Sequence, residues 1–238
     1  MSQKCILDAL FPDGHAVTVT GYALTGEAQT VAGPVAVLGT TAGAAIDHRI
    51  ALILAAFVLD TVAQHPKRSF VFLVDTCGQA LSRSQELLCL NGTLAHLTQC
   101  IDLARRHGHS SISLVTANAV SGGFLSFGLM ADLVYALADA HVRVMDLRAI
   151  SRVTKIPHER LVELSATSPV FSPGIENYFR TGGIDGVWEE ASAERMVDAL
   201  AIADEVRLAG DMRMTYGQRR QGRRLAGGIA AKVLGTLS

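Results

Sequence analysis

Phe70-Val-Phe-Leu-Val-Asp75-Thr-Cys-Gly78-Gln79 is the stretch that decides the fold, and Ile112-Ser-Leu-Val-Thr116 followed by Ser121-Gly-Gly-Phe124 has the same pattern further along the chain. Each stretch begins as a continuous apolar run, which predicts a buried strand, and each reaches glycine beyond the end of that strand. Segments of helical character separate the apolar runs. Strands that alternate with long helices predict an α/β fold with a largely parallel sheet and flanking helices.

The segments before the first junction extend this alternation. Residues 1–40 read as β, because His15-Ala-Val-Thr-Val-Thr alternates and Pro34-Val-Ala-Val-Leu forms a short buried run. A long helix is predicted from about Ala44 to Gln64, where the following Pro66 ends it.

The segments after the first junction continue the alternation of strands and helices. A second long helix is predicted over Arg83–Arg106, since Ser82 and Gln85 have capping-box spacing. A further helix should start at the glycines after Ser121. Two short strands are then expected, over Asp132–Leu137 and His141–Met145.

Composition limits the class of protein. The chain has 238 residues, of which 49% are apolar and 18% charged, and its formal net charge is −1. This apolar share excludes a disordered chain, and the near-neutral charge argues against a general nucleic-acid binder. The longest apolar run, Ile50–Leu59, is too short for a membrane span, which needs about 20 residues.

The cysteines and the start of the chain predict a compartment. Cys5, Cys77, Cys89 and Cys100 form no Cys-x-x-Cys pair, so we expect reduced thiols and no zinc ribbon. No secretory leader is recognisable at Met1. The sequence therefore predicts a cytoplasmic protein.

Charge is distributed unevenly along the chain. Arg207–Ser238 holds seven basic residues and one acid, whereas the rest holds 14 basic and 21 acidic residues. We predict one domain over 1–206 and a basic C-terminal tail or helix over 207–238. The spacing of Leu225, Ile229, Val233 and Leu237 favours a helix that packs against a partner, and a disordered basic tail is the alternative.

The two glycine junctions are the main candidates for chemistry. Glycine lets the backbone approach a ligand closely, and the first turn of a helix has unpaired N–H groups. Two such junctions side by side can direct two N–H donors at one oxygen, which is an oxyanion hole. The alternative is that the glycines only satisfy backbone geometry. Neither junction matches a P-loop or a dinucleotide-binding fingerprint.

Taken together, these motifs resemble a known family, the carboxyltransferase branch of the crotonase superfamily. The resemblance covers residues 5–205 and is greatest to the gamma subunits of malonate decarboxylases. The stretches that carry it are Val74-Asp-Thr-Cys-Gly-Gln79, Val115-Thr-Ala-Asn-Ala-Val-Ser-Gly-Gly-Phe124, Ala131–Leu137, Val142–Met145 and Ile184-Asp-Gly-Val-Trp188, with Leu10–His15, Val37–Thr40 and Ser121–Gly128 supporting the subunit.

The resemblance implies a crotonase-like fold, a ββα superhelix, and a site shared with a beta subunit. The implied reaction decarboxylates malonyl-S-acyl carrier protein to acetyl-S-acyl carrier protein and CO2 through an enolate. The thioester is carried on a phosphopantetheine-type arm of a partner acyl carrier protein, and no cofactor is bound covalently by this chain. An acyl-carrier transferase subunit is a further candidate partner, whereas nucleic acid and membrane are not expected partners.

The same resemblance implies the site residues. The catalytic N–H donors are expected at Gly78, Gln79, Gly122 and Gly123, the substrate contacts at Thr76, Cys77, Ser121 and Phe124, and no metal site is expected. Relatives commonly have Pro-Gly-Phe where this chain has Cys77-Gly78-Gln79, and a glutamine side chain can donate to a carboxylate. Cys77 is favoured as a small buried residue over a nucleophile, because no base accompanies it.

Other candidates have a structural alternative that we favour. His107 and His109 suit a polar helix end better than a metal pair. Asp47 is favourable near a helix N-terminus, with His48 beside it, and His96 suits a core or an interface. The cationic face formed by Arg148, Arg152 and Lys155 is either solvated or a docking surface for a carrier protein or its phosphate.

Three alternatives to the decarboxylase stay open. A self-sufficient acyl-CoA hydratase or hydrolase needs placed acids or bases, yet Ser121–Met130 contains no Asp or Glu. A carboxyltransferase subunit would pass the carboxyl group to biotin on another chain. A mainly structural subunit would use its glycines for packing only.

Overall fold

A single nine-stranded sheet organises the chain in a computed structural model that describes residues 3–167 and 173–235. The strand order is β1-β2-β3-β5-β6-β7-β9, with β4 added to β5 and β8 added to β6. The first three strands are antiparallel, and all pairings from β3 onward are parallel. The predicted α/β class with a largely parallel sheet is confirmed.

The strands are β1 Thr18–Thr20, β2 Ala23–Thr30, β3 Gly33–Thr40, β4 Ala44–Ile46, β5 Phe70–Gln79, β6 Ser111–Val120, β7 Leu133–Leu137, β8 His141–Arg143 and β9 Gly186–Trp188. The helices are α1 Gln3–Leu10, α2 His48–Gln64, α3 Arg83–Leu87, α4 Leu90–Arg106, α5 Ser121–Ser126, α6 Leu147–Thr154, α7 His158–Thr167, α8 Ile175–Thr181, α9 Ala193–Ala209, α10 Arg213–Arg219 and α11 Ala226–Val233. A short 3₁₀ turn over Gly128–Met130 follows α5.

The core lies around β5 and β6, the two central strands. Phe70–Val74 of β5 is completely buried, as its continuous apolar sequence predicts. Helices α2 and α4 pack against each other next to the sheet. The side chain of Asp47 accepts a hydrogen bond from the Ile50 N–H at 2.9 Å and caps α2, so its favoured interpretation as a helix N-terminal residue is confirmed.

Several boundaries differ from the prediction. Residues 3–10 form α1 rather than a strand, because Ile6, Leu7 and Leu10 share one face that is buried in the core. Residues 44–46, predicted as the start of a helix, form β4 on β5. Strands β5 and β6 extend beyond the predicted Asp75 and Thr116, to Gln79 and Val120.

The prediction of a single second long helix is also wrong. The helix is broken between α3 and α4, because Cys89 adopts the left-handed conformation with φ of 61°. The predicted cap at its start is correct, since the Gln85 N–H donates to the Ser82 hydroxyl at 3.3 Å.

The C-terminal segment packs closely on α8. An added Cβ at Gly182, Gly217 or Gly222 would lie 2.2–2.5 Å from a carbonyl oxygen of the facing segment. Arg220 completes the contact: its guanidinium lies 4.0 Å from the centre of the Phe179 ring and donates to the carbonyls of Phe179 and Ile184 at 2.9 and 2.7 Å. The division at residue 207 stays a prediction, although α9 runs through it without a break.

Helix α11 contains Ile229 and Val233 of the predicted helical spacing, Leu225 directly precedes it, and Leu237 lies outside the described residues. The side chains of Leu225, Ile229 and Val233 are exposed. Within residues 3–167 and 173–235, no helix combines the length and the apolar character needed to cross a bilayer.

Candidate active site

Asp75 fixes the place where the parallel strands β5 and β6 change register. Its carboxylate accepts hydrogen bonds from the Gly43 N–H at 2.8 Å and from the main-chain and side-chain nitrogens of Asn118, both at 3.1 Å. The register shifts between Val74 and Thr76. Asp75 thus ties the loop before β4 and the end of β6 to β5. The sequence analysis did not single out Asp75 and Asn118, although a carboxylate directly after a buried strand is a usable signal.

The two glycine junctions are brought together, as predicted. Gly78 has a φ of +113°, which disfavours any side chain, and an added Cβ at Gly123 would lie 2.7 Å from the carbonyl carbon of Gly78. This backbone-to-backbone contact is possible only without a side chain on Gly123. The glycines therefore have a packing function, whatever else they do.

Gln79 and Gly122 are joined directly. The Gly122 N–H donates to Oε1 of Gln79 at 3.0 Å. Since an N–H group can bond only to the oxygen of the carboxamide, this bond also fixes which way the amide points. The Nε2 group of Gln79 remains as a donor beside the first turn of α5.

The Gly78 N–H is also used inside the chain. It donates at 3.1 Å to the hydroxyl of Thr76, which is buried and itself donates to the Ala44 carbonyl at 2.6 Å. Strand β5 continues to Gln79, and α3 begins at Arg83, where the sequence predicted the start of a helix. Only the second junction places glycines in the first turn of a helix, α5.

The remaining predicted site residues have different environments. Ser121 opens α5 with a φ of 51° and is half-buried. Phe124 is fully buried, with its ring 6.2 Å from that of Tyr178, so its side chain belongs to the core. Cys77 is exposed and forms no disulfide, which corrects the expectation of a small buried residue. The substrate-binding roles of these residues stay predictions.

The other histidine candidates are occupied by structural contacts. Nδ1 of His48 lies 2.7 Å from the Thr93 hydroxyl and Nε2 lies 3.0 Å from the Gln85 carbonyl, so its ring connects α2 to α3 and α4. His109 is buried with Nδ1 on the Arg68 carbonyl at 2.9 Å. His96 is exposed, so its interpretation as a core histidine is wrong, and its Nε2 lies 3.6 Å from the thiol of Cys100. In the described part of the chain, no group of three or more potential ligands is positioned for a metal ion.

Most of the shifted pKa values lie away from the junctions. Burial raises the pKa of Asp132 and Asp185, which precede β7 and β9 at the edge of the sheet opposite to the glycines. Burial also raises the pKa of Tyr135 and Tyr178 to about 12, so both phenols are neutral at physiological pH. These groups therefore do not serve as anionic bases at the junctions.

Comparison with known protein families identifies the family of the chain. A sequence model of the family described as malonate decarboxylase gamma subunit matches residues 41–236. The chain belongs to this family. A curated protein, the malonyl-S-ACP:biotin-protein carboxyltransferase of Malonomonas rubra, is 32% identical in an alignment of 179 residues that covers 70% of this chain. The match spans only 61% of the length of that relative.

Two solved structures of malonate decarboxylases contain chains with the same fold. One chain of a Pseudomonas malonate decarboxylase hetero-tetramer in complex with coenzyme A has a TM-score of 0.79 at 22% identity, over 97% of both chains. A chain of the Pseudomonas MdcD–MdcE hetero-dimer has a TM-score of 0.73 at 23% identity, over 96% of this chain and 95% of that chain.

More distant structures share the fold as well. Transcarboxylase 12S has a TM-score of 0.71 at 18% identity, over 85% of this chain and 41% of that chain. At these identities the likeness concerns the fold alone. The crotonase-like, carboxyltransferase-type fold expected for the gamma-subunit family is confirmed.

Proposed function

We propose that this gamma-subunit family member forms one half of a malonyl-S-acyl carrier protein decarboxylase, a carboxy-lyase whose other half is a beta subunit. The observation that carries the proposal is the contact between the two junctions, in which Gly122 holds the carboxamide of Gln79. Membership of the family supports the substrate, since a relative is named for malonyl-S-ACP chemistry.

The reaction requires stabilisation of a negative oxygen. The bond between the carboxylate carbon and the α-carbon breaks, CO2 leaves, and the electron pair forms the enolate of the thioester. A proton then adds to the α-carbon and gives the acetyl thioester. Preorganised donors near the thioester oxygen lower the barrier, and removal of one typically costs about 3–4 kcal/mol.

Within this chain, Gln79 is the side chain best placed to donate. Gly78 and Gly122 give their N–H groups to Thr76 and to Gln79, and these bonds leave the Nε2 group of Gln79 available as a side-chain donor. We assign it the oxygen of the substrate carboxylate or of the enolate. Gly122 is then a positioning residue, and Gly78 and Gly123 provide the space.

The proposal predicts that a beta subunit supplies the rest of the site. No Asp or Glu lies in Ser121–Met130, and Asp75 gives its oxygens to Gly43 and Asn118. The proton for the enolate must therefore come from outside this cluster. The chain purified alone should be inactive, and addition of the beta subunit and the malonyl-loaded acyl carrier protein should restore CO2 release.

The decisive variant is Gly122→Ala. The new Cβ would lie 3.0 Å from Oε1 of Gln79, the end of a side chain that can rotate away, so the fold tolerates the change while the carboxamide loses its orientation. Gly228→Ala on α11 is the matched control, since no atom lies within 4 Å of its added Cβ. CO2 release from malonyl-S-acyl carrier protein is measured with the co-purified complex.

We expect Gly122→Ala to lower the rate by about 10²-fold with the complex intact, while Gly228→Ala keeps the wild-type rate. Full activity of Gly122→Ala would contradict a catalytic role for this junction and favour a structural subunit.

A second candidate is a carboxyltransferase subunit that passes the carboxyl group to biotin. The similarity to the Malonomonas rubra carboxyltransferase favours it. The same assay separates the two functions. CO2 release without any biotin carrier supports the decarboxylase, whereas turnover that requires an added biotin carrier protein supports the carboxyltransferase.

The proposed enzyme acts in the cytoplasm, where acyl carrier proteins hold their thioesters and where cysteines stay reduced. Its substrate is carried on the phosphopantetheine-type arm of the carrier, and an acyl-carrier transferase subunit is the proposed source of the malonyl thioester.

A further inference from the structure

An apolar groove begins one helical turn from Gly122. It has a volume of about 670 Å³ and lies between α5, the segment after β8, α6 and α8. Its apolar wall includes the side chains of Leu125, Leu129, Val144, Met145, Ile150 and Val153. Several of these are unusually open for large apolar residues, with Val153 68% exposed and Leu125 38% exposed. An apolar surface of this kind is typical of an interaction site.

The groove is continuous with the candidate active site. Gly122 and Leu125 are neighbours on the exposed side of α5, while Gly123 and Phe124 face the core. A partner that lies in the groove therefore ends beside Gln79 and the start of α5.

The charges of the groove have one sign. Among the described residues that line it, the charged ones are Arg213 and Arg223, and no carboxylate is present. Arg213 is fixed in place, because it donates to the carbonyls of Leu129 and Ala131 at 2.5 and 2.9 Å and pairs at 3.2 Å with the carboxylate of Asp211, which does not line the groove. On α6, Arg148 and Arg152 are exposed but lie on the face of the helix opposite to Ile150 and Val153, so the positive charge of the groove comes from Arg213 and Arg223. The part of the chain before Arg207 is acidic overall, so this excess of arginine is local.

These features indicate which kind of partner the groove can bind. An apolar wall between arginines fits an amphipathic helix whose apolar stripe is flanked by carboxylates. We propose that the groove is the docking site for such an acidic helix on the acyl carrier protein. The inference rests on the proposed function, since the proposed substrate is carried by an acyl carrier protein.

A transient carrier fits the groove better than a permanent subunit. A permanent interface buries a large, mainly apolar area from which charged residues are depleted. A carrier must arrive and leave in each catalytic cycle, and complementary charge at a small exposed groove accelerates arrival without holding the complex. The combination of exposed apolar side chains and arginines in the groove is typical of such a transient interface.

The test uses the complete complex with the beta subunit and two groove variants, Val153→Asp and Arg223→Glu. Leu208→Asp on α9 and Arg219→Glu on α10 are matched controls, because both residues are exposed and neither lines the groove. Turnover is measured with malonyl-S-acyl carrier protein and with free malonyl-pantetheine, which carries the same thioester without the protein.

We expect each groove variant to raise KM for the carrier substrate at least tenfold, with turnover of malonyl-pantetheine at the wild-type level. The controls should leave KM unchanged. An unchanged KM in both groove variants overturns the proposal. Equal losses on both substrates overturn it as well, because the groove would then belong to the chemical site. Loss of the beta subunit in size-exclusion chromatography would assign the groove to a permanent interface instead.

A failure of the proposed function can be distinguished from a failure of the docking proposal. If the wild-type complex converts neither substrate, the decarboxylase proposal fails, and docking is tested by fluorescence anisotropy with labelled acyl carrier protein. Binding that weakens at least tenfold in Val153→Asp and Arg223→Glu, and with added salt, supports the groove. Equal binding by wild type and variants overturns it.

Discussion

The main-chain nitrogen of Gly122 lies 3.0 Å from Oε1 of Gln79, across 43 residues of sequence. This bond joins the end of β5 to the first turn of α5, and it gives a side chain the acceptor role that an oxyanion would otherwise take. A ligand that approaches the junction meets the Nε2 group of Gln79. The candidate site is thus defined by one oriented carboxamide as well as by its glycines.

Replacement of Gln79 by glutamate should separate the two functions of this carboxamide. The carboxylate of Gln79→Glu still accepts the Gly122 N–H, but it donates no hydrogen bond and repels an anionic substrate. We expect kcat/KM to fall by about 10²–10³, with the complex intact. Gln99→Glu on the exposed side of α4 is the matched control. Equal activity of the two variants in the CO2 assay would contradict the role of Gln79.

Substitution of Gly123 should act on stability rather than on chemistry alone. In Gly123→Ala the new Cβ meets the main chain of Gly78 at 2.7 Å, and two backbone segments must move apart. Overpacking of this kind costs about 1–3 kcal/mol, which lowers Tm by several degrees in a domain of this size. Gly122→Ala, whose Cβ meets only the Gln79 side chain, is the comparison. Equal Tm values for the two variants would show that the Gly78–Gly123 contact is not tight.

Arg220 should stabilise the C-terminal segment through its guanidinium and not through its charge alone. Lysine cannot form both bonds to the carbonyls of Phe179 and Ile184 while it stacks on the Phe179 ring. Arg220→Lys is expected to cost about 1–3 kcal/mol, whereas Arg219→Lys at the exposed neighbour is neutral. Thermal unfolding measures the difference. Hydrogen exchange over residues 213–233 should speed up in Arg220→Lys only.

The pH dependence of stability should carry the signature of Asp185. Burial raises the pKa of its carboxyl above 3.8, so the folded protein binds this proton more tightly than the unfolded chain does. Asp185 therefore contributes a stability that is present at low pH and lost as the pH rises through the raised value. In Asp185→Asn this loss is absent. The Tm difference, variant minus wild type, should increase from about pH 4 to 7.

Asp102 provides the control of opposite sign. Hydrogen bonds from Arg105 and Arg106 lower the pKa of its carboxyl, so its contribution is present at neutral pH and lost as the pH falls through the lowered value. The amount by which Asp102→Asn lowers Tm relative to the wild type should accordingly become smaller toward low pH. Parallel pH profiles for the two variants would contradict the burial of Asp185.

The central sheet was predictable because its strands are continuous apolar runs. Phe70–Val74 and Ile112–Val115 are buried as those runs indicate, and the glycines after Ser121 do begin a helix. The contact between the two junctions was predictable too, since neighbouring parallel strands end at the same edge of a sheet. These features depend on local patterns, which a sequence carries directly.

Other features depend on distant partners and could not be predicted in this way. Gln79 has no neighbour in sequence that indicates Gly122, and Asp75 gains its role only when Gly43 and Asn118 meet it. The break at Cys89 also escaped, because a left-handed residue without glycine leaves no compositional mark. Helix α1 was missed since its apolar face is short.

The arginine side of the groove is supplied by residues that are synthesised after those of the active site. Arg213 bonds to Leu129 and Ala131, more than eighty positions earlier in the chain. The bond between Gly122 and Gln79 joins β5 to α5 and uses none of these later residues. The candidate chemical site and the proposed docking groove are therefore built from different parts of the chain, and the groove is complete only when the C-terminal helices are folded against the turn that follows α5.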